Sequence, residues 1–134
     1  MSTAAPAPRV LLVDDNRGFR LELRLLLEDC GIEVVAEGEN GQEAVELAAS
    51  TDADVVLMDL RMPVMDGLEA ARALRERTPA LPVIILSAYE DPALQSEAAA
   101  ASAYAYLVKG CAGSLVLDTI EQAFQARTPV EDPG

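Results

Sequence analysis

The sequence contains no histidine and no tryptophan, and it has a single lysine, Lys109. The absence of histidine excludes imidazole as a metal ligand, a general base or a phosphate carrier within this chain. Aromatic residues make up only 4% of the sequence, so a hydrophobic core would be built from aliphatic side chains. No apolar run approaches the ~20 residues of a membrane-spanning helix, so no membrane association is expected.

Positive charge is also scarce, because 10 basic residues face 23 acidic ones and leave a formal net charge of −13. Such a surface repels nucleic-acid phosphates and anionic membranes, so no direct nucleic-acid binding by this chain is expected. Divalent cations and basic partner surfaces are the natural counterparts. The two cysteines, Cys30 and Cys111, are too far apart in sequence for a metal or redox motif. They predict free thiols in a reducing compartment, and hence a cytoplasmic protein.

A length of 134 residues fits one domain with its own core. Short apolar runs alternate with longer helical patterns, which predicts right-handed βαβ units around a parallel sheet. The predicted strands are 10–13, 32–36, 55–58, 83–86 and 103–108. The first helix is predicted between a cap at Asn16 and a stop at Gly31, and the others over 41–50, 67–77, 91–101 and 114–126. We predict a domain over 9–127, a disordered tail at 1–8, and a disordered tail or truncated linker at 128–134.

Polar side chains follow the ends of four predicted strands. Asp14 and Asp15 follow the first strand, Asp59 the third, Ser87 the fourth and Lys109 the fifth. Because the carboxyl ends of parallel strands share one edge, we expect these side chains to meet in one crevice. Three crowded carboxylates favour binding of Mg²⁺, while the lysine and serine can hold phosphate oxygens. One carboxylate can then attack phosphorus and form an acyl phosphate.

Each of these residues also has a simpler explanation. An Asp-Asp pair after a strand is often only a turn and a helix cap, and Ser87 is more often a capping hydroxyl than a phosphate ligand. Lys109 alone would be a solvated charge, and Tyr106 alone would be partly buried packing. These separate explanations do not account for the fact that all of these residues are expected at the same edge of the sheet. The sequence has neither G-x-x-x-x-G-K-[ST] nor G-x-G-x-x-G, so it lacks the glycine-rich loops that cradle nucleotides.

Four segments resemble the response regulator receiver family: VLLVDDN (10–16), VVLMDLRMPVMDGLEA (55–70), PVIILSAYED (82–91) and AYLVKG (105–110). The resemblance implies a flavodoxin-like (βα)5 doubly wound fold, with five parallel strands in the order 2-1-3-4-5. It implies a phosphoacceptor in a two-component system, which takes a phosphoryl group from a histidine kinase or a phosphotransfer protein. The change of conformation that follows would control an output domain or partner. Such a domain is not an enzyme toward other substrates, since it catalyses only its own phosphorylation and dephosphorylation.

The resemblance also assigns a phosphoacceptor and a metal site. Asp59 matches the phosphoacceptor, which also contacts the Mg²⁺ cofactor. Asp14 and Asp15 match the pair of acids that bind the ion. The backbone carbonyl of Arg61 matches the remaining protein contact to the metal.

A second group of matching positions would report the phosphate. Ser87 matches the switch hydroxyl, Lys109 the phosphate-pairing lysine and Tyr106 the aromatic switch, while Pro63 and Gly67 shape the loop beside the phosphoacceptor. The resemblance further implies possible homodimerisation through the face made by helix 4, strand 5 and helix 5.

The sequence departs from many receivers after the lysine, where Gly110 replaces a common proline. This variant is similar to receivers of helix-turn-helix transcriptional regulators. Ser102 and Ala105 stand where that branch often has glycines, so the turn before the last strand is expected to differ. The sequence stops shortly after the fifth predicted helix, so either a single-domain regulator or a receiver cut from a longer protein at its linker is expected.

Two rival functions are weighed against this one. A haloacid-dehalogenase-type phosphatase would place a D-x-D motif after the first strand, but this chain has Asp14-Asp15-Asn16 there. A degenerate receiver, acting without phosphorylation, would lack one of the key acids or the lysine. All of these residues are present, which favours an active phosphoacceptor.

Overall fold

A computed structural model of the chain describes residues 7–127. Within this range lie five strands: β1 (Arg9–Val13), β2 (Glu33–Gly38), β3 (Val55–Met58), β4 (Val83–Ser87) and β5 (Ala105–Val108). Five helices alternate with them: α1 (Arg17–Asp29), α2 (Gly41–Ser50), α3 (Gly67–Arg77), α4 (Pro92–Ala100) and α5 (Gly113–Ala126). The tails predicted at 1–8 and 128–134 lie outside the described residues, except for positions 7 and 8.

The five strands form one parallel sheet in the order β2-β1-β3-β4-β5, as predicted. Alternate residues of each strand point to opposite faces, so a strand buried on both sides is apolar throughout. β3 is the clearest case, since all four of its residues are buried. No helix within residues 7–127 is long and apolar enough to span a membrane.

Helices cover both faces of this sheet and divide the core in two. On one face α1 and α5 pack against the sheet, with Leu27 and Ile120 fully buried beside Leu57. On the other face α2, α3 and α4 pack against it, with Leu74 beside Met58. The two neighbours Leu57 and Met58 therefore belong to different cores, which is the consequence of strand alternation. This arrangement confirms the predicted doubly wound fold.

Two helices end in the same hydrogen-bond pattern with different residues at the critical position. After α1, Gly31 has φ +82° and donates to the carbonyl of Glu28, as the predicted stop requires. After α4, Ser102 has φ +68° and donates to the carbonyl of Ala99. Ser102 thus adopts the left-handed conformation that glycine favours, and the same kind of helix end is formed with a serine in the glycine position. The cost is local backbone strain, because a side chain sits where glycine fits best.

Some predicted boundaries are displaced. β2 runs over Glu33–Gly38, whereas the prediction was 32–36, and β5 begins at Ala105, not at position 103. A register shift between Val10 and Leu11 against β2 accompanies the first difference. Such irregularity at an edge strand depends on tertiary pairing, so the hydrophobic pattern alone does not define it.

Asp54 joins the two ends of the described chain at the edge of the sheet opposite the predicted site. Its buried carboxylate accepts hydrogen bonds from the Arg9 backbone N–H at 2.9 Å and from Arg127 Nη1 at 2.7 Å. The Arg9 Nε donates to the same carboxylate at 3.3 Å. One acceptor therefore ties the start of β1 and the end of α5 to the start of β3.

Asp54→Ala is expected to lower the free energy of unfolding by roughly 1–3 kcal/mol, because it leaves a partly buried N–H and two guanidinium groups without their acceptor. Urea unfolding monitored by circular dichroism measures the change. Asp52→Ala is the matched control, since Asp52 is 85% exposed and only approaches Arg9 at 3.6 Å. Equal stabilities of the two variants would contradict the assigned role of Asp54.

Candidate functional site

Three carboxylates meet at the carboxyl edge of the sheet, where β1 and β3 end side by side. Asp14, Asp15 and Asp59 each offer an oxygen, and these atoms all lie within 4.8 Å of one another. Asp14 is 2% exposed and Asp59 is 8% exposed, whereas Asp15 is open to solvent. The structure thus brings together three acids that follow two different strands, β1 and β3.

Backbone groups fix one oxygen of each buried carboxylate. Asp14 Oδ1 accepts from the N–H of Asn16 at 2.8 Å, and Asp59 Oδ1 accepts from the N–H of Leu60 at 2.8 Å. Asn16 in turn caps α1, since its side chain accepts from the N–H of Phe19. The Oδ2 atoms of Asp14 and Asp59 are left to face the fifth strand.

Lys109, at the end of β5, reaches both of these oxygens. Its Nζ lies 2.7 Å from Asp14 Oδ2 and 3.5 Å from Asp59 Oδ2. The same ammonium group stands 4.3 Å from the centroid of the Phe19 ring, a favourable cation–π distance. The only lysine of the chain is therefore held by two acids and one aromatic ring.

The electrostatics of the site set Asp59 apart. Burial raises the pKa of the Asp59 carboxyl, and the neighbouring charge of Asp14 raises it further. Lys109 and the N–H of Leu60 act in the opposite direction without cancelling this effect. The ionised form of Asp59 is therefore electrostatically unfavourable, and a further cation close to it would stabilise that form.

Asp59→Asn is expected to raise the free energy of unfolding at neutral pH without Mg²⁺, because it removes a buried charge that lies next to Asp14. Because the pKa of Asp59 is raised by folding, the folded protein holds this proton to a higher pH than the unfolded chain. Ionisation of Asp59 then costs stability as the pH rises through that raised pKa. Hence the advantage of the variant should be small near the ordinary aspartate pKa and grow toward neutral pH.

Urea unfolding of both proteins from about pH 4 to about pH 8 measures this difference. Added Mg²⁺ supplies a control, because an ion that binds only the native acids stabilises the parent more than the variant. A variant that is less stable than the parent throughout this pH range, without Mg²⁺, would contradict the prediction.

The acid cluster has the chemistry of a Mg²⁺ site. Mg²⁺ prefers oxygen ligands, retains several waters, and is commonly held by one or two carboxylates together with phosphate oxygens. Its charge would also relieve the repulsion between Asp14 and Asp59. Arg61 lies in the loop after β3, where its guanidinium carbon stands 5.4 Å from the Tyr89 ring centroid. Its backbone carbonyl as a metal contact remains a prediction from the resemblance.

The loop between β3 and α3 is shaped by close backbone contacts. A Cβ on Gly67 would lie 2.2 Å from the carbonyl oxygen of Asp59, so no larger residue fits there. Met65 donates to the carbonyl of Pro63 at 2.7 Å, and the intervening Val64 has φ +69°. Such a three-residue turn is strained for a β-branched residue. The pattern M-P-V-M-D-G predicted a loop, but it did not reveal the conformation of Val64.

Ser87 and Tyr106 both contact Tyr89, which lies in the loop between β4 and α4. The fully buried hydroxyl of Ser87 accepts from the Tyr89 N–H at 3.0 Å. The hydroxyl of Tyr106 donates to the Tyr89 backbone carbonyl. The two predicted switch residues are therefore connected through one loop residue. No motif or periodicity in the sequence singles out Tyr89.

Phe19 and Arg20 were also missed as site residues. Phe19 lies on the packing face of α1, and its ring also supports Lys109. Arg20 lies on the buried stripe of α1 together with Leu23 and Leu27. A charged residue on an otherwise apolar stripe is the signal that could have identified it.

Comparison with known proteins agrees with this geometry. The family model described as the response regulator receiver domain matches residues 10–121. The transcriptional regulatory protein PdtaR of Mycobacterium tuberculosis is 40% identical over 120 residues, covering 90% of this chain and 58% of that protein. The response regulator UvrY of Escherichia coli is 38% identical over 119 residues, covering 88% of this chain and 55% of its own length. The chain thus spans a little over half the length of these two relatives.

Solved structures give the same result. The signal receiver domain of NarL from Mycobacterium tuberculosis superimposes with a TM-score of 0.87 at 31% identity, covering 92% of this chain and 100% of that one. A LuxR-family response regulator from Aurantimonas has a TM-score of 0.85 at 33% identity, covering 90% and 87% of the two chains. These matches exclude the haloacid-dehalogenase alternative and confirm the similarity to receivers of transcriptional regulators. The chain belongs to the response regulator receiver domain family, a family of two-component signalling.

Proposed function

We propose that this domain is a phosphoacceptor, with Asp59 as the residue that receives the phosphoryl group in the presence of Mg²⁺. The observation that carries the proposal is the placement of Lys109 between Asp14 and Asp59, beside the exposed carboxylate of Asp15. A lysine that already bridges two acids at the sheet edge is in position to pair with phosphate oxygens. The donor is a histidine kinase or a phosphotransfer protein, because the chain has no histidine of its own.

The transfer step needs a nucleophile and positive groups that compensate the negative charge of the phosphoryl oxygens. Asp59 Oδ2 attacks phosphorus, the bond from phosphorus to the donor breaks, and the donor leaves with that electron pair. Bound Mg²⁺ would neutralise charge on the phosphoryl oxygens. Asp14 and Asp15 would hold the ion, Lys109 would pair with a phosphoryl oxygen, and the N–H of Leu60 keeps the attacking carboxylate oriented.

The response to phosphate is proposed to pass through Ser87 and Tyr106. Ser87 would move toward the phosphoryl oxygens, which exchanges its contact with the Tyr89 N–H for a charge-assisted hydrogen bond. Tyr106 would then turn inward and release the Tyr89 carbonyl. A preference of ~1.4 kcal/mol for the inward state changes the ratio of the two states tenfold.

The face formed by α4, β5 and α5 is proposed to dock a second copy of the chain or another partner. α4 buries only Ala98, so few apolar contacts oppose its displacement. Leu115, near the start of α5, is an exposed apolar side chain. In this role the domain would act in the cytoplasm. The change of conformation would control an output domain or a separate partner protein.

The test is incubation of the parent with acetyl phosphate, with and without Mg²⁺, followed by intact-mass measurement. The expected result is addition of one phosphoryl group in the presence of Mg²⁺ and little or none with a chelator. Failure of acetyl phosphate, phosphoramidate and a histidine-kinase donor to label the folded protein would contradict the proposal. That result would favour an interaction module that acts without phosphorylation.

A further inference from the structure

Arg20 is a charged residue on the buried face of α1. Its side chain is 9% exposed, and a buried guanidinium is costly unless its donors are well paired. Here Nε donates to Glu37 Oε1 at 3.0 Å, and Nη2 lies 3.9 Å from Glu39 Oε2. The remaining contact is of a different kind, because Nη1 donates at 2.5 Å to the backbone carbonyl of Asp14.

That carbonyl belongs to the peptide group between Asp14 and Asp15. The N–H of Asp14 is also fixed, since it donates to the carbonyl of Gly38 at 3.0 Å. The backbone of Asp14 is therefore held on both sides as it leaves β1. Because Arg20 holds the peptide that leads into Asp15, it sets the direction in which Asp15 leaves the strand.

Asp15 depends on this restraint more than the other two acids. Asp14 and Asp59 each accept a backbone hydrogen bond and face Lys109. By contrast, Asp15 is exposed, and its carboxylate takes part in no hydrogen bond or ion pair found between residues 7 and 127. Its position in the acid cluster is thus determined by its backbone.

The geometry points to Arg20 as a positioning residue that presents Asp15 to the divalent cation, an inference that rests on the proposed function. Glu37 and Glu39 offset the charge of the guanidinium, which would otherwise repel that cation. Partners of metal ligands often affect affinity in this way, because they orient the ligands without touching the ion. Arg20 thus links the end of β2 to the ligand-bearing loop after β1.

Arg24 provides a matched control on the same helix. Its Nη1 donates to the other oxygen of Glu37 at 2.7 Å, and its Nε pairs with Glu28 at 3.0 Å. Both arginines therefore pair with Glu37, but only Arg20 also holds the Asp14 carbonyl. Replacement of each by glutamine removes one positive charge and one contact to Glu37.

The experiment is an NMR titration of backbone amides with Mg²⁺, without any phosphodonor, for the parent, Arg20→Gln and Arg24→Gln. Arg20→Gln is expected to raise the Kd for Mg²⁺ roughly tenfold. Arg24→Gln is expected to leave it within about twofold of the parent, as an exposed ion pair contributes little. Amide spectra recorded before the titration establish that each variant is folded.

Arg20→Lys separates geometry from charge and decides the matter if Arg20→Gln is unfolded. A lysine keeps the charge but lacks the planar fork that spans Asp14 and Glu37, so a similar rise in Kd is expected. Equal affinities of Arg20→Gln and Arg24→Gln, or parent-like binding by Arg20→Lys, would overturn the inference. A parent that binds no Mg²⁺ at all would instead overturn the metal site of the proposed function.

Discussion

Asp59→Asn is expected to abolish labelling by acetyl phosphate, even at saturating Mg²⁺. The amide nitrogen and oxygen that replace the carboxylate are poor nucleophiles, while the hydrogen bond from the Leu60 N–H to the remaining oxygen can be retained. Intact-mass measurement of the parent and the variant under identical conditions checks the result. A loss of at least a hundredfold in the labelling rate is the expected scale for removal of a nucleophile.

The other two acids are poor substitutes for Asp59. Asp14 is more deeply buried, and both of its oxygens are occupied, by the Asn16 N–H and by Lys109. Asp15 is exposed, and the ion pairs of Lys109 are formed with Asp14 and Asp59 instead. The labelling is therefore expected to be confined to Asp59.

Asp118→Asn is the matched control, because it removes the same charge from an exposed position on α5. It should be labelled as fast as the parent. Peptide mapping adds a second readout, since it identifies the labelled residue directly. Unchanged labelling of Asp59→Asn, or a phosphoryl group mapped to another acid in the parent, would show that the assignment of the phosphoacceptor is wrong.

The sequence was sufficient to predict that these acids and the lysine meet, because parallel topology carries strand ends to one edge. Asp14, Asp15, Asp59 and Lys109 each follow an apolar run, and the alternation of runs with helical patterns implied that all strands point the same way. No long-range contact had to be known in advance. The strand order, by contrast, was predicted from the family resemblance. The hydrophobic pattern alone does not determine which strands are neighbours in the sheet.

What the sequence did not reveal depends on contacts between elements. Tyr89 joins the two predicted switch residues, Ser87 and Tyr106, through its backbone N–H and carbonyl, groups that every residue other than proline possesses. Gly41 accommodates the loop before α3, since a Cβ there would lie 2.5 Å from the carbonyl oxygen of Met65. Both roles arise from the approach of one loop to another. Local patterns carry no information about such approaches.

Lys109→Ala is expected to separate acceptance of the phosphoryl group from the response to it. The nucleophile and the acids remain, so acetyl phosphate should still label Asp59, although more slowly, by about tenfold or more. The structural response should be lost, because the ammonium group that pairs with the added charge is missing. Beryllofluoride, a stable mimic of the phosphoryl group, allows this response to be measured at equilibrium.

The measurement is a comparison of amide and tyrosine signals with and without beryllofluoride. In the parent, the expected changes include Ser87, Tyr89 and Tyr106, which are connected by hydrogen bonds. In Lys109→Ala the changes should stay near Asp59. Millimolar Mg²⁺ should be present throughout, since the ion compensates part of the charge that Lys109 provides to Asp14 and Asp59.

Phe19→Leu is the control that distinguishes the charge of Lys109 from its placement. It removes the aromatic ring 4.3 Å from the ammonium but leaves both acids in contact with it. A cation–π contact at a partly exposed site contributes roughly 0.5–1 kcal/mol, so this variant should respond to beryllofluoride with somewhat lower apparent affinity. A full response at Ser87 and Tyr106 in Lys109→Ala would contradict the prediction. Another group would then have to bind the phosphoryl oxygens and start the response. Ser87, at the end of β4, would be the first candidate.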